Sequence, residues 1–288
     1  MMAVFRHELR SSFHSMTAYV FAAFLLAMIG VGAMLYNIEL AVSNFEYVLS
    51  FGSLAFVVII PILTMRSLAE ERRQKTDQLL YSLPLSTFQV ILGKYAALLV
   101  LYLVPLCIVA LYPLIFAQFG EVYLPTAYGS LLAFFLLGAV EIAVGLLISS
   151  LTESQIIAAV GTFGILLLLY LWDGLVGFLP STAQGSLIGL LVVLILLCFL
   201  INALSDNWKV TAGVLVIGAA ALLAFYLRDS SAFANLLPDV LGKFSLLSAF
   251  DSFSNDHVFD VPGILLYVSI SALLVFLTVQ VIQKRRWN

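Results

Sequence analysis

Charged side chains are scarce in this sequence. Lysine, arginine, aspartate and glutamate together make up 10% of its 288 residues, whereas hydrophobic residues make up 63%. The mean hydropathy is +1.12. Soluble globular domains usually contain about 25% charged and about 45–50% apolar residues. The composition therefore excludes a soluble globular protein and indicates an integral membrane protein.

Cysteine is nearly absent. The only two cysteines, Cys107 and Cys198, both fall inside long apolar runs. Neither a disulfide framework nor a zinc site is expected there. We interpret both thiols as packing residues, which carry no information about the redox compartment.

Histidine is also rare, and this counts against an intramembrane hydrolase. The three histidines, His7, His14 and His257, lie outside the apolar runs. The stretch EERRQK contains paired glutamates like those of membrane-embedded CAAX-type proteases, but those enzymes hold their metal with additional intramembrane histidines. A serine protease would need a base for its serine, and the same shortage of histidine argues against one.

The sequence lacks a nucleotide-binding P-loop in the place where part of one occurs. That motif, G-x-x-x-x-G-K-[ST], uses glycines to bring backbone amides to the phosphates and a lysine to reach the terminal one. Around Gly93 and Lys94, Phe88 occupies the position of the earlier glycine and Tyr95 follows the lysine. We therefore expect no nucleotide, cofactor or metal in this chain, and no nucleic-acid partner.

What the sequence has instead is a series of long apolar runs. A bilayer-spanning helix needs about 20 apolar residues, because it crosses about 30 Å of hydrocarbon at about 1.5 Å per residue. Eight runs meet this requirement, which predicts an all-α integral membrane protein with about eight transmembrane helices. The predicted spans are Thr17–Tyr36, Val48–Met65, Ala96–Gln118, Tyr128–Ser150, Ser154–Leu179, Ser186–Leu204, Trp208–Leu227 and Pro262–Ile282. We interpret residues 1–288 as one transmembrane domain.

The distribution of basic residues predicts the orientation. With eight spans both termini lie on one side, and that side holds 11 of the 13 lysines and arginines. The other side holds only Arg228 and Lys243, together with most of the acidic loop residues. Because basic residues concentrate on the cytoplasmic side of membrane proteins, we predict that both termini are cytoplasmic.

One segment between the second and third spans is strongly charged. This charged segment, residues 66–95, carries eight of the 29 charged side chains. Glu71 and Lys75 are four residues apart, as are Arg73 and Asp77, which favours a helix continuing out of the second span. The charged segment is expected to lie in the cytoplasm, either as a solvated hairpin that only fixes topology or as a docking surface for a partner.

The second half of the charged segment predicts a turn and a new helix. An apolar patch precedes the turn and includes Leu79 and Leu80. Pro84 ends the first helix, and Ser86 with Gln89 has the spacing of a capping box that would start the next one.

The stretch LTMRSLAEERRQKTDQLLYSLPLSTFQVILGKYAALL, residues 63–99, resembles the segment after the second helix in ABC-2-type transporter permeases. Three more stretches agree. The start, FRHELRSSFHSMTAYVF, resembles that family's amphipathic N-terminal helix, with Phe5, Leu9 and Phe13 on one face. Residues 145–169 resemble its turn between the fourth and fifth helices. The final stretch, from LLSAFDSFS to QKRRW, is similar to the end of permeases of the gliding-motility-associated branch.

The resemblance implies a transport subunit that is not itself an enzyme. In this family the charged segment forms the coupling region that contacts a nucleotide-binding ATPase, which binds ATP and magnesium. A second permease subunit, as a homodimer or heterodimer, membrane lipids and a bacterial inner-membrane location are also implied. The residues implied to contact the ATPase are Glu70, Glu71, Arg72, Arg73, Leu79, Leu80 and Pro84.

Two other functions stay open from the sequence. A membrane subunit could transmit ATPase motion to an envelope protein, with a periplasmic auxiliary protein as partner and no solute transported. A proton-coupled secondary transporter would instead depend on Glu141, the one clearly intramembrane ionisable residue. Glu141 is a candidate for a proton relay or a polar lining of a substrate path, and equally for a helix-packing contact.

Three further features complete the predicted organisation. The residues between 228 and 261 include apolar positions three and four apart, which predicts a short external helix lying in the membrane interface or re-entering it. Glycine pairs at Gly138 and Gly145, and at Gly161 and Gly164, would allow close helix contact. The pair of spans over residues 186–227 exceeds the six spans common in the family.

Overall fold

The computed structural model describes residues 2–75, 86–205, 208–228, 230, 233–254 and 260–287. These residues form helices and turns and contain no β-strand. In chain order the helices are α1 (Met2–His14), α2 (Met16–Ala33), α3 (Glu46–Thr64), α4 (Ala69–Arg73), α5 (Thr87–Val109), α6 (Tyr112–Phe116), α7 (Leu124–Leu151), α8 (Gln155–Tyr170), α9 (Trp172–Gly177), α10 (Ala183–Ser205), α11 (Trp208–Arg228), α12 (Leu236–Gly242), α13 (Leu246–Ser254) and α14 (Val261–Trp287). The predicted all-α membrane fold is confirmed.

The eight predicted spans each correspond to an apolar helix. Within the described residues, five helical segments are long and apolar enough to cross a membrane, and their ranges are Met16–Glu39, Glu46–Arg73, Thr87–Phe116, Leu124–Leu151 and Val261–Lys284. The second segment joins α3 to α4, and the third joins α5 to α6. The other three predicted spans correspond to α8, α10 and α11. The first of the five includes a π-helical stretch, Met34–Glu39, that extends α2.

The chain divides into two compact units. The first comprises Met1–Tyr170 and Ala249–Asn288, and the second comprises Leu171–Ser248. In the first unit α7 is central, because it packs against α3, α8 and α14, while α1 lies along α5 and contacts α2. In the second unit α10 packs against α11 and α12. The single transmembrane domain over residues 1–288 stays a prediction.

An aromatic cluster fills the core of the first unit. The rings of Phe56 and Phe134 have their centroids 4.5 Å apart, and Tyr102 meets Phe56 edge-on at 5.6 Å. The hydroxyl of Tyr102 donates a hydrogen bond to the Phe134 carbonyl at 2.7 Å, so its one polar group is satisfied away from water. These side chains come from α3, α5 and α7, and they hold the three helices together.

Two predicted elements differ from the structure. The fifth predicted span, Ser154–Leu179, is interrupted at Leu171, where the chain passes from the first unit into the second. Asp173, just after this break, accepts a hydrogen bond from the Ser245 hydroxyl at 2.7 Å, and this polar contact fixes the short helix α9 within the second unit. The single external helix predicted between residues 228 and 261 is two helices, α12 and α13, separated by a turn at residues 243–245.

Candidate functional site

A buried lysine joins three elements at one end of the first unit. The Lys94 side chain, on α5, is only 1% exposed. Its Nζ donates to Glu71 Oε1 at 2.7 Å, to Glu8 Oε1 at 2.5 Å and to the Ser67 carbonyl at 3.2 Å. An ammonium group has three donors, and all three are used here. The Lys94 cluster, defined as Lys94, Glu8, Glu71 and Ser67, therefore ties the charged segment and α1 to a membrane-spanning helix.

The start of α5 explains how Lys94 reaches this position. The Ser86 hydroxyl accepts a hydrogen bond from the Gln89 backbone N–H, and the Gln89 side chain accepts one from the Ser86 N–H. This confirms the capping box expected from the sequence. The helix begins at Thr87, nine residues before the predicted span, and this extension places Lys94 two turns inside the helix, facing α1 and α4.

An arginine makes a second connection from the charged segment. Arg72 Nη1 donates to the Ser150 carbonyl at 3.2 Å, and its Nη2 donates to Glu153 Oε1 at 2.9 Å. Ser150 lies in the last turn of α7, where backbone carbonyls lack partners within the helix. A positive charge is favourable at such a helix end. Arg72 therefore joins α4 to the end of α7 and to the turn that leads into α8.

Ser149 adds a third connection, made through the backbone of the charged segment. Its hydroxyl oxygen accepts hydrogen bonds from the backbone N–H groups of Leu68 and Ala69, at 3.2 and 3.1 Å. The same hydroxyl donates to the Met65 carbonyl at 3.3 Å. Ser149 is fully buried. Its hydroxyl therefore hydrogen-bonds three backbone groups in and beside the turn between α3 and α4, and these bonds hold the turn against α7.

The two remaining charged side chains of α4, Glu70 and Arg73, are called its outward side, because the ion pair of Glu70 stays within the charged segment and Arg73 is exposed. Arg66 Nε and Glu70 Oε2 form an ion pair at 3.0 Å, and Gln74 Nε2 donates to the other Glu70 oxygen at 3.1 Å. Arg73 and Lys75 are exposed. Exposed ion pairs contribute little to stability, about 0–1 kcal/mol. This side of α4 is therefore a charged surface that carries little of the fold.

A cavity of about 490 Å³ lies between α1 and the charged segment. Glu8 and Glu71 line it from opposite elements, and Arg66, Glu70 and His7 reach its wall. The cavity is open to the surface and mostly polar in its lining residues. It gives α1 and α4 a shared boundary beside the Lys94 cluster. Among the described residues, no group of three or more histidine, cysteine, aspartate or glutamate side chains is placed to hold a metal ion.

The structure separates the predicted partner-binding residues into two sets. Glu71 and Arg72 bond to other elements of the chain. Arg73 is exposed, and Glu70 pairs with Arg66 within the charged segment while also lining the open cavity. Leu79, Leu80 and Pro84 lie outside the described residues.

Several contacts were missed by sequence reasoning. The predicted continuous helix out of the second span is a turn at residues 65–68 followed by the five-residue α4. Glu71 pairs with Lys94, whereas the spacing of charges in the sequence predicts a pair with Lys75. Glu8 is 86 residues from Lys94, and Arg72 is 81 residues from Glu153. Such long-range pairs leave no local signal in the sequence.

Glu141 lies near the middle of α7. Its side chain is buried, with 7% exposure, and its Oε2 has no hydrogen-bond partner among the described residues. The nearby glycines allow close packing of α7: a Cβ at Gly138 would lie 2.6 Å from the Tyr102 ring, and one at Gly145 would overlap the Thr64 side chain. The close contact predicted at Gly138 and Gly145 is confirmed, whereas a Cβ at Gly164 would have no neighbour within 4 Å among the described residues.

Comparison with known families identifies the chain. Residues 35–184 match the model of a family described as ABC-2 family transporter protein, and they make up just over half of the chain. The match contains α3, α4, α5, α7 and α8, and with them Arg72, Ser149 and every member of the Lys94 cluster except Glu8. No curated protein matches this sequence. The chain therefore belongs to the ABC-2 transporter family and is a multi-pass membrane permease component.

Proposed function

We propose that this chain is the transmembrane subunit of an ATP-driven transporter, and that the charged segment couples it to a separate ABC ATPase. Family membership implies pairing with such an ATPase. The observation that carries the coupling proposal is the buried Lys94, which joins Glu71 of α4 to Glu8 of α1. A displacement of α4 would pull directly on α1 and α5 through these bonds.

The two sides of α4 suggest two roles. On the outward side, Glu70 and Arg73 are proposed to contact the ATPase. On the inward side, Glu71 and Arg72 are proposed to transmit the movement, since they bond to α5 and to the end of α7. Movement is transmitted only if the two states of the ATPase contact α4 differently, because equal contacts in both states cannot shift an equilibrium.

Several finer features belong to the same proposal. ATP and magnesium would bind to the ATPase subunit, and two permease subunits would form the substrate path. Both termini would face the cytoplasm of a bacterium, with the chain in the inner membrane. The gliding-motility-associated branch is proposed from the resemblance of the C-terminal stretch. Glu141 stays a candidate for the path because its free carboxylate oxygen is buried in the membrane region.

Exchanging the charges on the outward side of α4 is expected to release the ATPase. A variant with Glu70→Lys and Arg73→Glu keeps the net charge but reverses both side chains, so a complementary partner surface would be repelled. We expect at least a tenfold loss of ABC ATPase that co-purifies from native membranes, measured by quantitative mass spectrometry. The melting temperature should change by less than about 2 °C, because surface substitutions usually alter stability by at most about 0.5 kcal/mol.

The control for this exchange is Lys284→Glu, which reverses an exposed charge on α14 far along the chain from α4. The control should retain a stoichiometric ATPase. Retention of the ATPase by the exchanged variant would refute the outward side of α4 as the docking surface. Absence of any ATPase from the wild-type preparation in mild detergent would refute coupling altogether, and a carrier that depends on Glu141 would then be the function to test.

A further inference from the structure

An acidic cavity lies where two membrane-spanning helices begin. Its volume is about 280 Å³, and it is enclosed by the loop before α3 and the loop before α7, both in the first unit. Glu46 and Glu121 line it, together with the polar residues Ser43, Asn44 and Thr126. Among the described residues, no basic side chain lines it. The site is at the opposite ends of α3 and α7 from the Lys94 cluster.

Glu46 is the unusual member of this cavity. It is only 2% exposed, and its Oε2 has no hydrogen-bond partner among the described residues. Glu46 is also the first residue of α3, where the positive end of the helix dipole favours a negatively charged side chain. A buried carboxylate oxygen without a partner is unfavourable. A bound cation that donates hydrogen bonds would remove this cost.

The cavity suits an organic cation better than a metal ion. Calcium takes six to eight oxygen ligands, usually with several carboxylates, whereas the described residues contain no group of three or more metal-binding side chains. A volume of about 280 Å³ also exceeds what one ion occupies. An ammonium group has three donors and no acceptor. It would therefore match the oxygens of Glu46 and Glu121, and the hydroxyl oxygen of Thr126 adds a further acceptor.

The location of the cavity indicates where such a group would come from. The segments Glu46–Arg73 and Leu124–Leu151 are both able to cross a membrane. The cavity is lined by Glu46, the first residue of the first segment, and by Tyr123 and Thr126 at the start of the second. The ends of spanning helices lie at the level of the lipid headgroups. Glu121 and Tyr123 are exposed at the rim, so the cavity is also open to solvent.

We propose that this cavity binds a primary ammonium group, with Glu46 as its main partner and Glu121 as the second carboxylate. The two sources compatible with its position are the ethanolamine headgroup of a membrane lipid and a small soluble amine. This inference is independent of the ATPase, since it concerns the other end of the helices and needs no nucleotide.

Lipid retention tests the proposal directly. The full chain is reconstituted in vesicles of phosphatidylethanolamine and phosphatidylglycerol, extracted in mild detergent, and its bound lipids are counted by native mass spectrometry. We expect wild type to retain at least ten times more phosphatidylethanolamine than Glu46→Gln, because the amide keeps the shape but loses the charge. Glu39→Gln, an equal charge change at an exposed residue outside the cavity, should behave as wild type.

A second measurement identifies the source of the ammonium group. Thermal stability of the purified chain is followed with added ethanolamine, with choline, whose nitrogen has no N–H donor, or with calcium. Stabilisation by ethanolamine and lipid retention together indicate the headgroup, and stabilisation by ethanolamine alone indicates a soluble amine. In both cases Glu46→Gln should abolish the effect and choline should have none.

Three outcomes would overturn the proposal. The first is equal retention of phosphatidylethanolamine by wild type and a folded Glu46→Gln variant, combined with no stabilisation by ethanolamine. The second is equal stabilisation by choline, which would show that N–H donors are not recognised. The third is stabilisation by calcium alone that Glu46→Gln removes, which would assign the cavity to a metal ion.

Discussion

Replacing Lys94 with methionine is expected to lower the melting temperature of this chain by about 5–10 °C. The ammonium group of Lys94 is buried and bonded to Glu8 and Glu71. Methionine has a similar length but leaves two carboxylates facing each other without a cation. Removing one partner of a buried ionic group costs about 3–5 kcal/mol, which corresponds to this shift in melting temperature. Fluorescence-detected thermal unfolding in detergent measures it.

The same substitution should also uncouple the transporter. In proteoliposomes that contain the ATPase subunit, we expect Lys94→Met to reduce the permease-dependent part of ATP hydrolysis at least tenfold while the ATPase stays bound. The outward side of α4, with Glu70 and Arg73, is unchanged by this substitution. If Lys94→Met showed the same permease-dependent rate of ATP hydrolysis as wild type, the Lys94 cluster would have no role in transmitting movement from the ATPase.

Neutralising the whole cluster separates stability from coupling. The triple variant Lys94→Met, Glu8→Gln, Glu71→Gln contains no unpaired charge, and uncharged replacements of buried ion pairs are often neutral or stabilising. Its melting temperature should return to within a few degrees of wild type. Its ATP hydrolysis should stay uncoupled, because the bonds from α4 to α1 and α5 are still absent. Recovery of both properties would show that the ions serve only the fold.

The extent to which sequence predicted this fold follows from the physics of membranes. A spanning helix must bury its own backbone hydrogen bonds in hydrocarbon, so its apolar run is visible in the sequence. Local chemistry was equally visible, as the capping box at Ser86 and Gln89 shows. The break at Leu171 was invisible because the residues on both sides of it are apolar. The contact of Asp173 with Ser245, 72 residues away, holds the short helix that follows.

The sequence predicted where the charged segment lies along the chain, but it did not predict which of its side chains point toward other helices. The charged segment was identified from its composition, and α4 occupies its first part. Which of its charges point inward depends on distant residues: Lys94 binds Glu71, and Glu153 in the turn after α7 binds Arg72. Spacing within the segment favoured Glu71 with Lys75, a helix pair that requires more helix than the five residues of α4. Contacts between separate helices decided the orientation.

Gly145 is a point of close packing between α7 and α3. It lies on α7 opposite Thr64, the last residue of α3, and a Cβ there would overlap the Thr64 side chain. Thr64 is fully buried, and its hydroxyl donates to the Ile60 carbonyl at 2.9 Å. As a β-branched residue in a helix, threonine has few rotamers available and cannot easily move aside.

Gly145→Ala is therefore expected to destabilise the chain by about 2–3 kcal/mol, because the added methyl group forces α3 and α7 apart. Gly164→Ala is the matched control, since a Cβ at that position would meet no atom within 4 Å in the described part of the chain. Alanine favours helix by about 1 kcal/mol over glycine, so the control should be neutral or slightly more stable. Thermal unfolding should show a loss of about 5 °C or more in melting temperature for Gly145→Ala only.

Adding Thr64→Gly to Gly145→Ala should recover part of this loss, because it empties the space that the methyl group needs. Equal stability of Gly145→Ala and Gly164→Ala would contradict the close approach of α3 and α7. It would also contradict the contact one turn further along α7, where Ser149 holds the turn before α4.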